Sequence, residues 1–331
     1  MSNYKITIFC ETNRDFKIKE VAFELISKAK KLTQGMVDAE VQALVVGQRL
    51  NYDDIIDELS EYGTDKVIIV NDDILAEYDA EKYRKAICEI LEKEKPQVVL
   101  FGATAIGREL APLVATSLQT GLTADCTGLE IAEGKLEATR PTYGGKMNAT
   151  ILCKTYPQMA TVRTGVFKAE KHYPQKETVV NFDWVKTQDC KEFTKILEFI
   201  KSPENEKNNL NKAEIIFAGG KGLKTKENFD KLYKLAELTG AKVGATRAAV
   251  DAGIADKSIQ IGQTGTTVHA KIYIAFGISG AAQHLAGINS CDKIIAINKD
   301  SEAPIFKSAD YGFVADAEEI IDTLTNKLLH K

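Results

Sequence analysis

Several features that would indicate a function class are missing from this sequence or scarce in it. No apolar run approaches the ~20 residues that a membrane-spanning helix needs, so we expect no membrane span. The six cysteines are scattered without a C-x-x-C pair. Their pattern argues against zinc and iron–sulfur sites and, with the missing signal peptide, favours a reducing, cytoplasmic compartment. The net charge of −4 gives no basic excess of the kind that binds nucleic acid.

The residues that are present are those of an ordinary globular protein. Hydrophobic residues make up 44% and charged residues 27% of a chain of 331 residues, which is long enough for two domains. Short apolar strands alternate with amphipathic helices up to about residue 120, which predicts a mostly parallel, doubly wound sheet. A polar, turn-rich segment at 201–211 predicts a linker. We therefore expect an α/β protein with an N-terminal scaffold domain at 1–200 and a second α/β domain at 212–331.

The first domain also has less regular predicted elements. Asp15 can cap a helix from residue 16 to about residue 32. From Gly121 onward, threonine-rich segments of alternating polarity predict further strands, the first of them at 123–131. These strands would extend or cap the sheet, and some would be antiparallel. A last strand of this domain is predicted at 182–185.

The stretch 243–316 concentrates glycines and small hydroxyl residues between short apolar runs. A buried strand is predicted at 271–276, a tight turn at 277–280, a helix start at 281–286 and a second strand at 293–298. A strand, a glycine turn and a helix N-terminus can bind phosphate together, because free backbone N–H groups and the positive helix end face the ligand. The spacing therefore predicts a βαβ unit with an anion site, although a plain β–α turn has the same outline.

The same stretch resembles a known family. Its segments ATRAAVDAG, GQTG, GISGAAQHLAG, AINKD and EAPIF occur in the order and spacing of the FAD-binding region of electron transfer flavoprotein alpha subunits. The resemblance continues into the first half of the chain, through IGRELAP and TGLTADCTGLEI, so it covers most of the sequence. It implies two doubly wound domains, the first with added antiparallel strands and the second binding FAD.

The family's cofactor residues carry over to matching positions here. Arg247 would lie against the flavin ring and favour negative charge on its reduced forms. Thr264 would lie near flavin N5, and His284 would approach the pyrimidine carbonyl O2. Ser279 and its turn would bind the pyrophosphate. The full predicted set of cofactor-binding residues is Lys221, Thr246, Arg247, Gln263, Thr264, Gly265, Gly277, Ser279, Gly280, Gln283, His284, Asn298 and Asp316. The last two stand at the ends of strands, where the adenosine half should lie.

Some of these residues allow another interpretation or depart from the family pattern. Arg247 could instead form a salt bridge with Asp251 or Asp256. An isolated histidine is more often structural, although His284 stands inside the motif. Lys221 occupies a position where the family often has arginine. A lysine can neutralise a phosphate but cannot form a bidentate fork.

The resemblance implies an electron carrier. The chain would bind one FAD in a heterodimer with a beta subunit and carry electrons between acyl-CoA dehydrogenase-type partners, or NADH, and an acceptor. No nucleophile–base pair is evident, so no catalytic residue is predicted, and the flavin would supply the chemistry. Two alternatives stay open: a component of an NADH-dependent electron-bifurcating complex that reduces ferredoxin and an enoyl-CoA, and a non-redox nucleotide-binding regulatory protein. The segment 120–126 fits either a packed strand or a subunit interface.

Overall fold

The structure is a computed structural model that describes residues 4–48, 50–142, 147–172, 178–181, 198, 210 and 213–329. The chain divides into two compact units, Met1–Leu197 and Glu198–Lys331, and each has its own parallel sheet and its own core. The predicted linker at 201–211, apart from Leu210, and the predicted strand at 182–185 lie outside the described residues.

The first unit is built on a seven-stranded sheet whose neighbouring strands are all parallel. The first unit also has a smaller sheet, and the strands of the two sheets together are β1 (Tyr4–Phe9), β2 (Ala39–Gly47), β3 (Lys66–Asn71), β4 (Val98–Gly102), β5 (Leu122–Cys126), β6 (Gly128–Ala132), β7 (Lys135–Thr142), β8 (Met147–Leu152), β9 (Gln158–Val162) and β10 (Thr178–Asn181). The order in the large sheet is β10-β3-β2-β1-β4-β9-β5. Because the order reverses between β1 and β4, the sheet is doubly wound, as the alternation of strands and helices predicts.

Helices cover both faces of this sheet. Among the described residues, the α-helices of the first unit are Glu20–Thr33, Tyr52–Ser60, Ala80–Glu94 and Ala105–Ser117. Val98 and Leu100 of β4 belong to the core that contains the first helix, whereas Val99 and Phe101 belong to the core that contains the third. All four side chains are fully buried. Strands that are apolar on both faces are typical of a parallel sheet between two helical layers.

The first helix starts later than predicted. It begins at Glu20 rather than near residue 16. Residue 16 has a left-handed φ of 61°, which a right-handed helix cannot contain. The Asn13 side chain accepts hydrogen bonds from the N–H groups of Asp15 (2.9 Å) and Lys17 (3.0 Å). Because this local turn occupies the segment, Asp15 does not cap the helix.

The segment predicted as one strand at 123–131 is two strands in different sheets. β5 ends at Cys126 in the large sheet, and β6 begins at Gly128 in a three-stranded antiparallel sheet of β6, β7 and β8. Asp125 has a left-handed φ of 59°, and its carboxylate accepts a hydrogen bond of 2.6 Å from the Arg163 guanidinium. This local turn of the backbone lets the chain leave the first sheet. The added antiparallel strands are present, as predicted.

The second unit is a six-stranded parallel sheet. Its strands are β11 (Ile215–Gly219), β12 (Lys242–Thr246), β13 (Gln260–Ile261), β14 (Ile272–Phe276), β15 (Ile294–Asn298) and β16 (Tyr311–Val314). The order is β13-β12-β11-β14-β15-β16, which reverses between β11 and β14. A sheet of this order binds ligands beyond the carboxyl ends of its strands, near the reversal. The prediction of two doubly wound sheets is therefore confirmed.

The helices of the second unit include one at the helix start predicted for 281–286, and the helix that begins at Arg247 was not predicted. Among the described residues they are Lys226–Thr239, Arg247–Asp251, Ala282–Leu285 and Ala317–Leu329. The first is capped by the Thr225 hydroxyl, which accepts from the Asn228 N–H at 3.3 Å, and ends at Gly240 with a φ of 71°. Its buried face consists of Phe229, Leu232, Leu235 and Ala236. No described helix is long and apolar enough to cross a membrane.

Candidate functional site

A cleft of about 340 Å³ opens in the second unit at the carboxyl ends of β12, β13 and β14. It brings together most of the residues that the sequence predicts for the cofactor. Those that line it are Thr246, Arg247, Gln263, Thr264, Ser279, Gly280, Gln283 and His284. They come from three separate segments at the ends of β12, β13 and β14, so the fold assembles them at the edge of the sheet where a doubly wound domain binds its ligand.

The turn after β14 depends on glycine. Gly277 and Gly280 have φ values of 63° and 88°, a region that favours glycine. A Cβ added to Gly280 would lie 2.4 Å from the Ile305 backbone nitrogen. The Gly277 carbonyl accepts a hydrogen bond of 3.1 Å from the Gly222 N–H, so the loops after β11 and β14 contact each other through their backbones. Backbone packing therefore explains both glycines of the turn.

The backbone of this turn offers donors to a ligand. The N–H groups of residues 278–281 donate no hydrogen bond within the part of the chain that the structure describes, and all four residues line the cleft. Such N–H groups commonly bind phosphate. The helix that follows, Ala282–Leu285, has only four residues, so its macrodipole contributes less to anion binding than the predicted helix start implies. The anion-binding capacity therefore rests on the N–H groups and the exposed Ser279 hydroxyl.

Arg247 is the first residue of a five-residue helix that directly follows β12. The hydroxyl of Thr246 caps this helix by accepting a hydrogen bond of 3.3 Å from the Ala249 N–H. Arg247 Nε lies 3.4 Å from Asp251 Oδ2, so one of the salt bridges considered from the sequence is present. Both side chains are highly exposed, and an ion pair of this kind contributes ~0.3–0.5 kcal/mol. The pair therefore leaves open a second role for Arg247 at the cleft.

The loop after β13 carries the predicted Gln263 and Thr264. The Gln263 N–H donates a hydrogen bond of 2.7 Å to the Gln283 carbonyl and so joins two walls of the cleft. Thr264 Oγ1 accepts a hydrogen bond of 3.0 Å from Gln260 Nε2. Because the threonine oxygen is the acceptor there, its own hydrogen can point to another acceptor, such as a ligand ring nitrogen.

His284 forms the buried part of the cleft wall. Its side chain is 6% exposed. Its Nδ1 lies 3.1 Å from the Ile261 carbonyl oxygen, and its Nε2 lies 2.9 Å from the Tyr273 hydroxyl. Burial lowers the pKa of His284 to about 4, so the imidazole is neutral at pH 7. The approach of His284 to flavin O2 stays a prediction, and both ring nitrogens have protein partners in this structure.

Other predicted residues lie outside the cleft lining: Lys221, Gly265, Gly277, Asn298 and Asp316. Asn298 Nδ2 donates a hydrogen bond of 2.9 Å to the Ile278 carbonyl, so Asn298 supports the turn from behind. Asp316 Oδ1 accepts a hydrogen bond of 2.9 Å from the Glu318 N–H at the start of the last helix. Their predicted contact with the adenosine half stays a prediction.

Part of the cleft wall was not predicted from the sequence. The additional lining residues are Ala248, Asp251, Ile261, Gly262, Ile278 and Ala281. Helical spacing could have identified Asp251, which stands four residues after Arg247 on the same helix. Gly262 has a φ of 137° and stands directly before the predicted Gln263, so it could have been included on the ground of turn geometry. Ile261 carries no such signal, and its carbonyl oxygen is the partner of His284 Nδ1.

The first unit has a cleft of its own, with different chemistry. It has a volume of about 330 Å³ and lies at the carboxyl ends of β1 and β2. Glu11, which lines it, is 5% exposed and is held by the ammonium of Lys19 and the hydroxyl of Thr104. The segment that follows β1, residues 10–13, contains no glycine. A buried carboxylate without a glycine turn disfavours phosphate, so this cleft does not repeat the anion-binding features of the second unit.

Comparison with known proteins assigns the chain to a family. A family model described as "Electron transfer flavoprotein domain" matches residues 6–184. A second model, described as "Electron transfer flavoprotein FAD-binding domain", matches residues 209–289. The chain belongs to the electron transfer flavoprotein alpha-subunit family. The second match contains all three segments that line the cleft, and FAD is the cofactor of this domain.

Individual relatives resemble the chain along almost its whole length. The electron transfer flavoprotein subunit alpha of Thermoanaerobacterium thermosaccharolyticum is 45% identical, and the match covers 99% of this chain and 99% of that protein. The protein of the same name from Clostridium acetobutylicum is 41% identical over 98% of this chain and 96% of its own length. The protein FixB of Azotobacter vinelandii is 39% identical over 93% of this chain and 86% of its own length. The resemblance seen in the sequence segments is thus confirmed.

Proposed function

We propose that this chain is the FAD-carrying alpha subunit of a heterodimer with a beta subunit. The complex takes electrons from an acyl-CoA dehydrogenase-type partner or from NADH and passes them to an acceptor. One observation carries this proposal: residues from three segments of the chain meet in a single cleft around four backbone N–H groups that donate no hydrogen bond among the described residues. The match of the FAD-binding family model to the same segments supports it.

The chemistry of the cleft suits this cofactor. A pyrophosphate is anionic, and the N–H groups of residues 278–281 together with the Ser279 hydroxyl are donors to an anion. Arg247 adds a positive charge on another wall. The exposed amides of Gln263 and Gln283 can donate to and accept from the polar edge of a ring system. Nothing in this set needs a metal ion.

FAD supplies the electron chemistry when it is bound. The chain's own residues hold it and set its electrostatic surroundings. Arg247 is proposed to stabilise negative charge at the ring, and the Thr264 hydroxyl is proposed to donate its hydrogen to N5, since the oxygen already accepts from Gln260. His284 contributes a neutral, buried side chain to the wall, which excludes water from that side.

The test starts with the complex. The chain is co-expressed with the beta subunit encoded for the same complex, purified, and examined by sedimentation and by quantification of released FAD and AMP. We expect a heterodimer with one FAD assigned to the alpha cleft, and reduction of that flavin when an acyl-CoA dehydrogenase and its acyl-CoA are added. A flavin-loaded, electron-accepting alpha chain that sediments as a monomer would contradict the heterodimer.

Two further additions separate the open alternatives. NADH alone tests direct reduction, and NADH with ferredoxin and crotonyl-CoA tests bifurcation. Reduction of ferredoxin that requires the enoyl-CoA, together with two FAD per heterodimer, would identify a bifurcating complex. A purified complex that contains no flavin and shows no flavin absorbance would reject both redox functions in favour of a nucleotide-binding regulatory protein.

A further inference from the structure

Tyr273 and His284 form a buried polar pair behind the cleft. The Tyr273 side chain, on β14, is fully buried, and its hydroxyl lies 2.9 Å from His284 Nε2. The other ring nitrogen of His284, Nδ1, lies 3.1 Å from the carbonyl oxygen of Ile261. The imidazole is therefore held from two sides, by β14 and by the end of β13.

The chemistry of the three groups fixes where the protons are. A backbone carbonyl can only accept a hydrogen bond, so Nδ1 of His284 must carry a hydrogen and donate it to Ile261. In the neutral ring, Nε2 then has a lone pair and must accept. The Tyr273 hydroxyl is the group that can donate to it. One arrangement satisfies both contacts with a neutral ring: Nδ1–H to the carbonyl, and the tyrosine O–H to Nε2.

The surroundings of the pair favour this neutral form. Burial lowers the pKa of His284 to about 4 and raises the pKa of Tyr273 well above its ordinary value. The thiol of Cys291 donates to the Val268 carbonyl at 3.6 Å, and burial raises the pKa of this thiol to about 11, so it carries no charge at pH 7. Among the described residues, the charged groups that line the same cleft as His284 are Arg247 and Asp251, which pair with each other.

We infer that Tyr273 is a positioning residue for the FAD site: its hydroxyl fixes the orientation and the neutral tautomer of His284 at the cleft wall. The inference rests on the proposed function, because it takes the cleft to be the one that holds FAD. It follows that His284 presents an uncharged ring to the cofactor over the physiological pH range. The fixed positive charge at the site then comes from Arg247. A proton on Nε2 would reverse this hydrogen bond: Nε2 would donate, the tyrosine oxygen would accept, and the tyrosine O–H would lose its present acceptor.

The experiment uses the alpha–beta complex with ¹⁵N-labelled histidine. The alpha chain has four histidines. The signal of His284 is identified by its absence from the His284→Gln complex. We expect the nitrogen shifts of the wild-type signal to show a hydrogen on Nδ1 and a lone pair on Nε2, and to stay unchanged from pH 8 to pH 5. A wild-type signal with the hydrogen on Nε2 would overturn the inference without any tyrosine variant.

The decisive variant is Tyr273→Phe, which keeps the ring packing and removes the hydroxyl. We expect the His284 titration midpoint to rise by about one pH unit, the tenfold gain in proton affinity that follows from losing a hydrogen bond to the neutral ring. The FAD dissociation constant should acquire a dependence on pH over the same range. Tyr311→Phe is the control, because Tyr311 is highly exposed and stands on the edge strand β16.

A purely structural role for Tyr273 makes a different prediction. In that case Tyr273→Phe would lower the melting temperature while the tautomer and titration of His284 stayed as in the wild type, and the inference would be wrong. The tautomer and titration can also be measured on the complex after FAD has been removed. Failure of FAD to bind would therefore reject the proposed function, whereas an unchanged His284 signal in the tyrosine variant would reject the role of Tyr273.

Discussion

The guanidinium of Arg247 and the carboxylate of Asp251 pair across one helical turn at the mouth of the cleft, with Nε and Oδ2 3.4 Å apart. The two side chains are 68% and 65% exposed, so the pair is weak in water. This position fits two roles for Arg247, one in which the pair stabilises the helix and one in which the guanidinium contacts a bound ligand. The effect of replacing Arg247 on the flavin potential distinguishes the two roles.

Replacement of Arg247 is expected to make the bound flavin harder to reduce. Arg247→Ala removes a positive charge close to the proposed ring position, and we expect the one-electron potential to fall by about 50–100 mV, since ~59 mV corresponds to a factor of ten. Arg247→Lys should recover part of the loss, because the charge remains while the planar guanidinium is gone. A stepwise dithionite titration of the purified complexes measures these potentials.

Asp251→Asn is the matched control for this series. It abolishes the same ion pair but removes a negative charge, so the potential should stay unchanged or rise slightly. If Arg247→Ala and Asp251→Asn both keep the wild-type potential, Arg247 serves only its helix and the assignment to the flavin is wrong.

Substitution of Ser279 tests the anion site. Loss of one hydroxyl donor in Ser279→Ala should weaken FAD binding by roughly 2–10-fold, the range that one hydrogen bond contributes. Ser279→Glu adds a negative charge next to the free N–H groups and should weaken binding much further. Ser279 is more informative than Gly280, where any Cβ would contact the Ile305 backbone and distort the loop.

Fluorescence titration of the FAD-depleted complex gives the dissociation constants of these variants. Ser290→Glu provides the control, since Ser290 is exposed and lies outside the cleft lining. Wild-type affinity in the Ser279→Glu complex would show that the pyrophosphate binds elsewhere.

The stability of the first unit should depend on pH through Glu24. Its carboxylate accepts a hydrogen bond of 2.8 Å from the Gly165 N–H, and burial raises the pKa of Glu24 from 4.5 to about 7. The folded state therefore holds this proton more tightly than the unfolded state. Between pH 4.5 and about 7, the free energy of unfolding should fall as pH rises, because the buried Glu24 carboxyl becomes ionised. Above that range this loss of stability should be constant.

Glu24→Gln should remove this loss of stability. The amide oxygen can still accept from Gly165, so the variant should be more stable than the wild type by ~1–2 kcal/mol at pH 8 and similar to it at pH 4. Urea denaturation of the complex at the two pH values measures the difference, with Glu92→Gln, at an exposed position on another helix of the first unit, as the control. Equal stability of wild type and Glu24→Gln at pH 8 would contradict the expectation.

The sequence predicts a helix or strand well when residues close to it in the chain determine where it begins and ends. The helix Lys226–Thr239 has a threonine before it and a glycine after it, and both act within one turn. The break between β5 and β6 is different. It depends on a left-handed Asp125 whose carboxylate is held by Arg163, 38 residues further along the chain. No local pattern around residue 125 signals that partner.

The same contrast holds for the candidate site. The glycine turn of the second unit and its neighbours are predictable, because a β–α turn has a recognisable local sequence. The pairing of Tyr273 with His284 is not, because it arises when β14 packs under the turn that follows it. Asn298 was predicted beside the cofactor from its position at a strand end, yet its side chain binds the carbonyl of Ile278. Position at a strand end therefore identifies the edge of the sheet and leaves the individual contacts undetermined.

The most direct test of this account is the FAD content of a complex whose alpha cleft has been filled. Ala248 is exposed and lines the cleft, whereas Ala252, one helical turn later, is exposed and does not. FAD and AMP are released from purified wild-type, Ala248→Trp and Ala252→Trp complexes and counted per heterodimer. The account predicts that Ala248→Trp loses one FAD while Ala252→Trp retains the wild-type number. An Ala248→Trp complex that assembles with its full wild-type FAD content would contradict the assignment of the cofactor to this cleft.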